Sequence, residues 1–164
     1  MNKSELIEAL AQMPLNQRYT LGPSISGVYG LEQKTKVPLP LFACGVSAGF
    51  PSPADDYIGQ QLDINELLIR NPAATFFVRV AGDSMTGVGI NDNDILVVDR
   101  SLEPIHGKII VAAVNGELTV KRLVRTDSSC RLVAENPNYP PIEISEDLSC
   151  VVWGVVTSVI HQFH

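Results

Sequence analysis

Two residues in this chain have the types and surroundings that peptide-bond chemistry needs, Ser84 and Lys121. Ser84 lies in Gly82-Asp83-Ser84-Met85, directly after the apolar run Phe77-Val78-Arg79-Val80-Ala81. A nucleophilic serine needs an exposed hydroxyl on a tight turn, with backbone N–H groups free to hold an oxyanion. The glycine before it permits close backbone approach. Gly-Asp-Ser also occurs in ordinary turns, so the serine needs a base to distinguish it. Lys121 lies in Glu117-Leu118-Thr119-Val120-Lys121-Arg122-Leu123. In a strand, Thr119, Lys121 and Leu123 share one face, and Leu118, Val120 and Arg122 the other. Lysine acts as a base only when neutral, and its solution pKa is about 10.4, so apolar burial must lower it by several units. Arginine stays protonated. Lys121 is therefore the candidate base and Arg122 its solvated or ion-paired neighbour; an ordinary edge lysine is the competing reading.

A third feature is Val46-Ser47-Ala48-Gly49-Phe50-Pro51. Ala48 and Gly49 leave the bond between them sterically open. Pro51 and Pro53 bias the following chain toward extended conformations, the form in which a β-edge peptidase site takes its substrate. A plain linker has the same composition. Other chemistries lack their residues. His106, His161 and His164 lie in a turn or at the C-terminus, in no Ser–His–Asp or Cys–His arrangement. Cys44, Cys130 and Cys150 are far apart, form no CxxC and suit idle thiols in a reducing compartment. No phosphate-binding loop, dinucleotide fingerprint or zinc motif occurs, so no metal and no cofactor are expected.

The elements that must position these residues begin near residue 57. Asp63-Ile64-Asn65-Glu66 resembles a capping box opening a short helix through Ile69. Val- and Ile-rich segments follow at roughly 74–81, 94–99, 108–114, 117–124, 130–134 and 150–160. Asn115-Gly116 between two of them signals a type I′ hairpin. The expected fold is mostly β, a small antiparallel domain of curled strands. Before it, residues 1–48 read as an extended arm with a short helix at Ser4–Met13 and then frequent Gly and Pro. The arm holds four basic and three acidic residues, a net of +1, which leaves −7 on the remainder of a chain whose total is −6. That balance argues against a protein whose main work is gripping nucleic acid. No apolar run reaches the roughly 18 residues of a membrane helix, and the start leads into no signal-peptide core. A cytoplasmic protein with no membrane contact is expected.

Taken in order, Ala48-Gly49-Phe50-Pro51-Ser52-Pro53-Ala54, Tyr57, Pro72-Ala73-Ala74-Thr75-Phe76-Phe77 and Gly82-Asp83-Ser84-Met85 resemble the UmuD/LexA type of self-cleaving Ser–Lys peptidase. The resemblance continues through Asp94-Ile95-Leu96-Val97-Val98-Asp99-Arg100-Ser101, His106-Gly107, Glu117–Leu123, Asn136-Pro137-Asn138 and Trp153-Gly154-Val155-Val156, and covers about residues 48–160. It implies Ser84 as nucleophile, Lys121 as base, Ala48–Gly49 as the scissile bond and an oxyanion pocket from the backbone of Ser84 and Met85. It implies an arm, 1–48, removed from a peptidase domain, 49–164. It also implies a homodimer in the SOS response to DNA damage, stimulated by RecA filament and serving a UmuC-type error-prone polymerase of the Y family. The arm is longer than is usual for the UmuD branch and too short for a LexA DNA-binding domain. Cys44–Gly45 is a second candidate bond, set aside because Phe50-Pro51-Ser52-Pro53 follows Ala48–Gly49 in register.

Two further readings remain at this point. A LexA-like repressor requires an N-terminal DNA reader, which one short helix and a charge of +1 do not supply. A non-catalytic polymerase-binding module needs only the acidic β domain. Hydrolysis of separate substrates is less suited, because a bond on the same chain reaches the site at high effective concentration and needs only modest catalysis. Entry of the arm into its own site or into a dimer partner's is open.

Overall fold

The computed structural model describes residues 20–30, 38–42, 58–145 and 147–163. Two units are formed, one by the described residues up to Gly30 and from Asn71 onward, the other by those between Glu32 and Arg70.

The larger unit is one sheet built by alternation. Strand β5 (Thr75–Val80) buries Phe76, Val78 and Val80 at a period of two. β6 (Ile95–Asp99) is covered on both faces, with Leu96, Val97 and Val98 fully buried, which is why its sequence is an unbroken apolar run. β7 (Ile109–Val114) and β8 (Glu117–Arg125) form the expected hairpin. Its turn residues Asn115 and Gly116 have φ of 49° and 86°, both left-handed as a type I′ turn demands. β9 (Cys130–Val133) and β10 (Ile142–Glu143) extend the sheet beyond β8. β11 (Cys150–Ile160) pairs with β7 over its first half and β6 over its second, with register shifts between Val152 and Gly154 and between Val156 and Ser158. Such bulges bend a strand and tighten its twist, which curls the sheet.

The six β segments expected from the sequence match β5 to β9 and β11 to within a residue at each end. Three strands came from the region read as a loose arm, two of them in this sheet and the third, at Pro38–Phe42, in the smaller unit. β1 (Thr20–Leu21) pairs in parallel with β8, and β2 (Ile25–Gly30) pairs antiparallel with β5. The sheet therefore runs β10-β9-β8-β7-β11-β6-β5-β2, with β1 added beside β8. The expectation of a loosely held stretch after the arm's helix fails for residues 20–30 and 38–42; the helix expected at Ser4–Met13 lies outside the described residues.

Side chains alternate between two apolar clusters on opposite faces. Val111 and Ala113 of β7 join Ile25, Phe76, Val78, Leu96, Val98, Leu118, Val120 and Trp153. Ile110 and Ala112 join Leu123, Leu132 and Val155. Trp153 meets Phe76 edge-to-face at 6.1 Å, and the Arg100 guanidinium lies 4.5 Å from the centre of the Phe76 ring.

In the smaller unit, β3 (Pro38–Phe42) and β4 (Ile58–Asp63) form a two-stranded antiparallel ribbon followed by helix α1 (Ile64–Leu68). Asp63 is the N-cap, as expected, and its side chain accepts from the Asn65 N–H at 2.8 Å. The bond goes to the second helical residue rather than to the third, which a capping box would use.

Candidate active site

The chain leaves β5 at Val80 and turns at Gly82, whose φ of 81° suits glycine. The Gly82 N–H donates to Asp92 Oδ1 at 2.7 Å. Beyond it a 3₁₀ turn spans Thr86–Val88. Met85 inserts into the larger core, and its carbonyl accepts from the N–H groups of Val88 and Ile90 at 3.2 and 3.3 Å. Ser84 is thus held between a left-handed turn and a side chain anchored in the core. A second loop clamps the same turn. Asn136 Nδ2 donates to the Asp83 carbonyl at 3.0 Å, and the Tyr139 hydroxyl donates to Asp83 Oδ1. The Gly87 N–H donates to the Glu135 carbonyl at 2.7 Å.

β8 brings Lys121 to this serine. Lys121 Nζ lies 3.2 Å from Ser84 Oγ, 3.1 Å from Thr119 Oγ1 and 3.0 Å from the Val120 carbonyl. Ser84 and Lys121 are each 6% exposed. Burial pushes the Lys121 amine below the ordinary lysine pKa, because the ammonium is the form that loses most by leaving water. In its neutral form the amine would donate its two N–H groups to Thr119 and Val120 and turn its lone pair to the Ser84 hydroxyl. Such an arrangement draws a proton from the hydroxyl as the oxygen attacks.

The sequence placed Thr119 and Lys121 on one face, and the bond between them follows from that; it gave Thr119 no role. Asn136 and Tyr139 went unnoticed as partners of the serine turn, since they sit more than fifty residues away in sequence. One expectation fails. Ser84 is not exposed on its turn but buried, on a turn whose next residue, Met85, is anchored in the core. Arg122 takes the other face as expected, where it pairs with Glu135 and donates to the Gly107 carbonyl.

Beside the dyad opens a cleft of about 500 Å³. Leu118, Thr119 and Lys121 of β8 form its floor and Tyr139 one flank, while Pro23 and Ser24 of the N-terminal segment line it as well. The histidines serve elsewhere: His106 Nδ1 accepts from the Arg125 N–H at 3.1 Å, and His161 Nδ1 bonds Asp94 Oδ1 at 2.5 Å. Among the described residues no three His, Cys, Asp or Glu side chains gather as a metal site, and no helix is long and apolar enough to cross a membrane. Ala48–Gly49 and Cys44–Gly45 lie outside the described residues, in the segment that joins β3 to β4.

Residues 40–157 match the family model described as Peptidase S24-like. The chain is 47% identical over 124 residues to Protein ImpA of Salmonella typhimurium, covering 75% of this chain and 83% of that protein. It is 47% identical over 120 residues to Protein MucA of Escherichia coli, covering 73% and 82%. With LexA repressor 1 of Pseudomonas syringae pv. tomato it shares 40% identity over 118 residues, covering 71% of this chain and 58% of the repressor.

Proposed function

The chain belongs to the peptidase S24-like family of self-cleaving serine peptidases, and from that premise we propose that it cuts its own backbone at Ala48–Gly49 with Ser84 and Lys121 as a catalytic dyad. The observation that carries this reading is the buried contact of 3.2 Å between Lys121 Nζ and Ser84 Oγ, made where the amine's pKa is lowered.

Ser84 Oγ attacks the Ala48 carbonyl carbon while neutral Lys121 accepts the hydroxyl proton. The backbone N–H groups of Ser84 and Met85 stabilise the resulting oxyanion. The Asp83 carbonyl, which shares a peptide plane with the Ser84 N–H, is tied by Asn136 Nδ2 and by the Thr86 N–H, which supports that role for the Ser84 amide. Collapse breaks the C–N bond, and the Gly49 amine leaves with the proton that Lys121 held. Water, deprotonated by the same lysine, then hydrolyses the Ala48 ester and frees Ser84. The products are residues 1–48 and 49–164.

The physiological setting we assign is the SOS response. The protein is a UmuD-type homodimer, stimulated by a RecA filament, whose cut form serves a UmuC-type error-prone polymerase. Kinship with ImpA and MucA over more than four fifths of their length supports this over a repressor, because the match to LexA repressor 1 leaves two fifths of that protein uncovered.

Intact mass measurement of purified protein at rising pH tests the chemistry. The wild type is expected to yield the 49–164 fragment, faster as pH rises and levelling off below the ordinary lysine pKa of about 10.4, since deprotonation creates the base. Ser84→Ala and Lys121→Ala are expected to remain whole. Appearance of the same fragment from either variant would overturn the dyad.

A further inference from the structure

The segment that a cut at Ala48–Gly49 would separate from the dyad includes a working part of the fold. Thr20 and Leu21 pair in parallel with Glu117 and Leu118 of β8, one to four residues from Thr119 and Lys121. The chain then crosses β8 so closely that a Cβ on Gly22 would lie 2.3 Å from the Leu118 carbonyl oxygen. A turn closed by the Ile25 N–H on the Gly22 carbonyl, at 3.1 Å, carries it onward. The Ala81 N–H donates to the Ser24 carbonyl at 2.9 Å, immediately before the serine turn. β2 then runs along β5 from Ile25 opposite Val80 to Gly30 opposite Phe76. Ile25 is 2% exposed and belongs to the main core, with Val28 packed beside it. The segment thereby links β8 to β5, strands that β7, β11 and β6 separate in the sheet, and its Pro23 and Ser24 line the cleft beside Lys121.

We propose that Thr20–Gly30 keeps the N-terminal fragment bound after the chain is cut. The immediate product is then a nicked two-chain complex, and later departure of the fragment bares both the edge of β5 and one wall of the cleft. This rests on the proposed cut at Ala48–Gly49. Two things hold this strand once its covalent link is gone, beside the pairing of β3 with β4 that also spans the proposed cut. One is a ladder of backbone hydrogen bonds to β5. The other is burial of Ile25, a contribution that hydrophobic transfer alone makes substantial. An unpaired β5 edge is a template for another strand, so its cover sets when the cut protein becomes able to accept one.

The test is size-exclusion chromatography of full-length protein after self-cleavage, with intact mass of each fraction. Fragments 1–48 and 49–164 are expected to co-elute under native conditions and to separate in denaturant. Ile25→Asp is expected to raise the rate of fragment loss by about tenfold or more, as burying a charge in place of an aliphatic side chain dictates. Prompt separation of the wild-type fragments would overturn the proposal. Hydrogen exchange on uncut Ser84→Ala protein gives a readout independent of cleavage and of the folding of any core variant. Slow exchange of the amides in 25–30, matching those of β5, is expected; exchange at the rate of an unstructured chain would overturn the docking even where the cut occurs. Failure of the wild type to cut, with those amides protected, would count against the proposed cut and not against the docked strand.

Discussion

Lys121, the proposed base, also carries a cost to the fold, so self-cleavage and stability are both expected to rise with pH. Burial lowers its pKa in the folded chain, so between that lowered value and about 10.4 the unfolded chain binds more protons. Stability contributed by this residue is therefore full above the unfolded value and is lost as pH falls through the folded one. Lys121→Met keeps an unbranched apolar stem without the amine. In a Ser84→Ala background, urea unfolding is expected to show Lys121→Met more stable than its parent at pH 7, with the gap narrowing toward pH 10; a gap that widens would contradict a buried, destabilised ammonium. Thr119 acts through the lysine by accepting one of its N–H groups at 3.1 Å. Thr119→Val keeps the shape and removes the acceptor. Self-cleavage is expected to slow by about tenfold, the kinetic equivalent of one modest hydrogen bond, as followed by gel densitometry at fixed pH. The sequence displayed Ser84 and Lys121 through residue type and alternation. It did not display Thr119 as a partner, because a shared face says nothing of which hydroxyl lies within reach, nor the burial of Ser84 on a turn whose next residue is anchored in the core.

The strands most legible in advance are those buried on one or both faces, since burial is what imposes a pattern. β6 and β7 read as continuous apolar runs, and β5 as alternation. β1, β2, β3, β4 and β10 escaped for different reasons, β4 because Ile-Gly-Gln-Gln-Leu-Asp has neither alternation nor an apolar run. β1 and β10 are two residues long. β2 carries two glycines and a serine, and β3 two prolines, compositions that weaken a central strand and are tolerated at an edge. The β7–β8 hairpin is the element on which delivery of Lys121 depends, and Asn115-Gly116 announced it. Gly116 has φ of 86° and open space where a Cβ would stand, so a side chain there meets strain and no collision. Gly116→Val is expected to cost about 1–3 kcal/mol of stability, the usual range for a β-branched residue forced into left-handed backbone. Chemical denaturation of the variant in the Ser84→Ala background measures it. A neutral outcome would mean that the turn relaxes to another type, and the register that faces Lys121 toward Ser84 would then owe little to it.

Division of the whole chain at residue 48 follows charge and composition, yet the main sheet does not respect that line. Ile25 lies in the same cluster as Phe76, Leu96 and Trp153, so residues from both sides of the proposed cut complete one core. Composition could not reveal this, because a single buried isoleucine between glycines leaves no periodic trace. A strand integral to the core unfolds with it rather than fraying first. Trp153 is the chain's one tryptophan, 6% exposed and packed on Phe76, and so reports on the state of that core. Ile25→Ala in uncut Ser84→Ala protein is expected to lower stability by about 2–5 kcal/mol, the range for emptying a buried aliphatic site. The loss should appear as an earlier midpoint of a single transition in Trp153 fluorescence, coincident with loss of β structure by circular dichroism. Were residues 20–30 only laid on the surface, the same substitution would leave the Trp153 transition where it stands, and the boundary at residue 48 would mark a structural division as well as a chemical one.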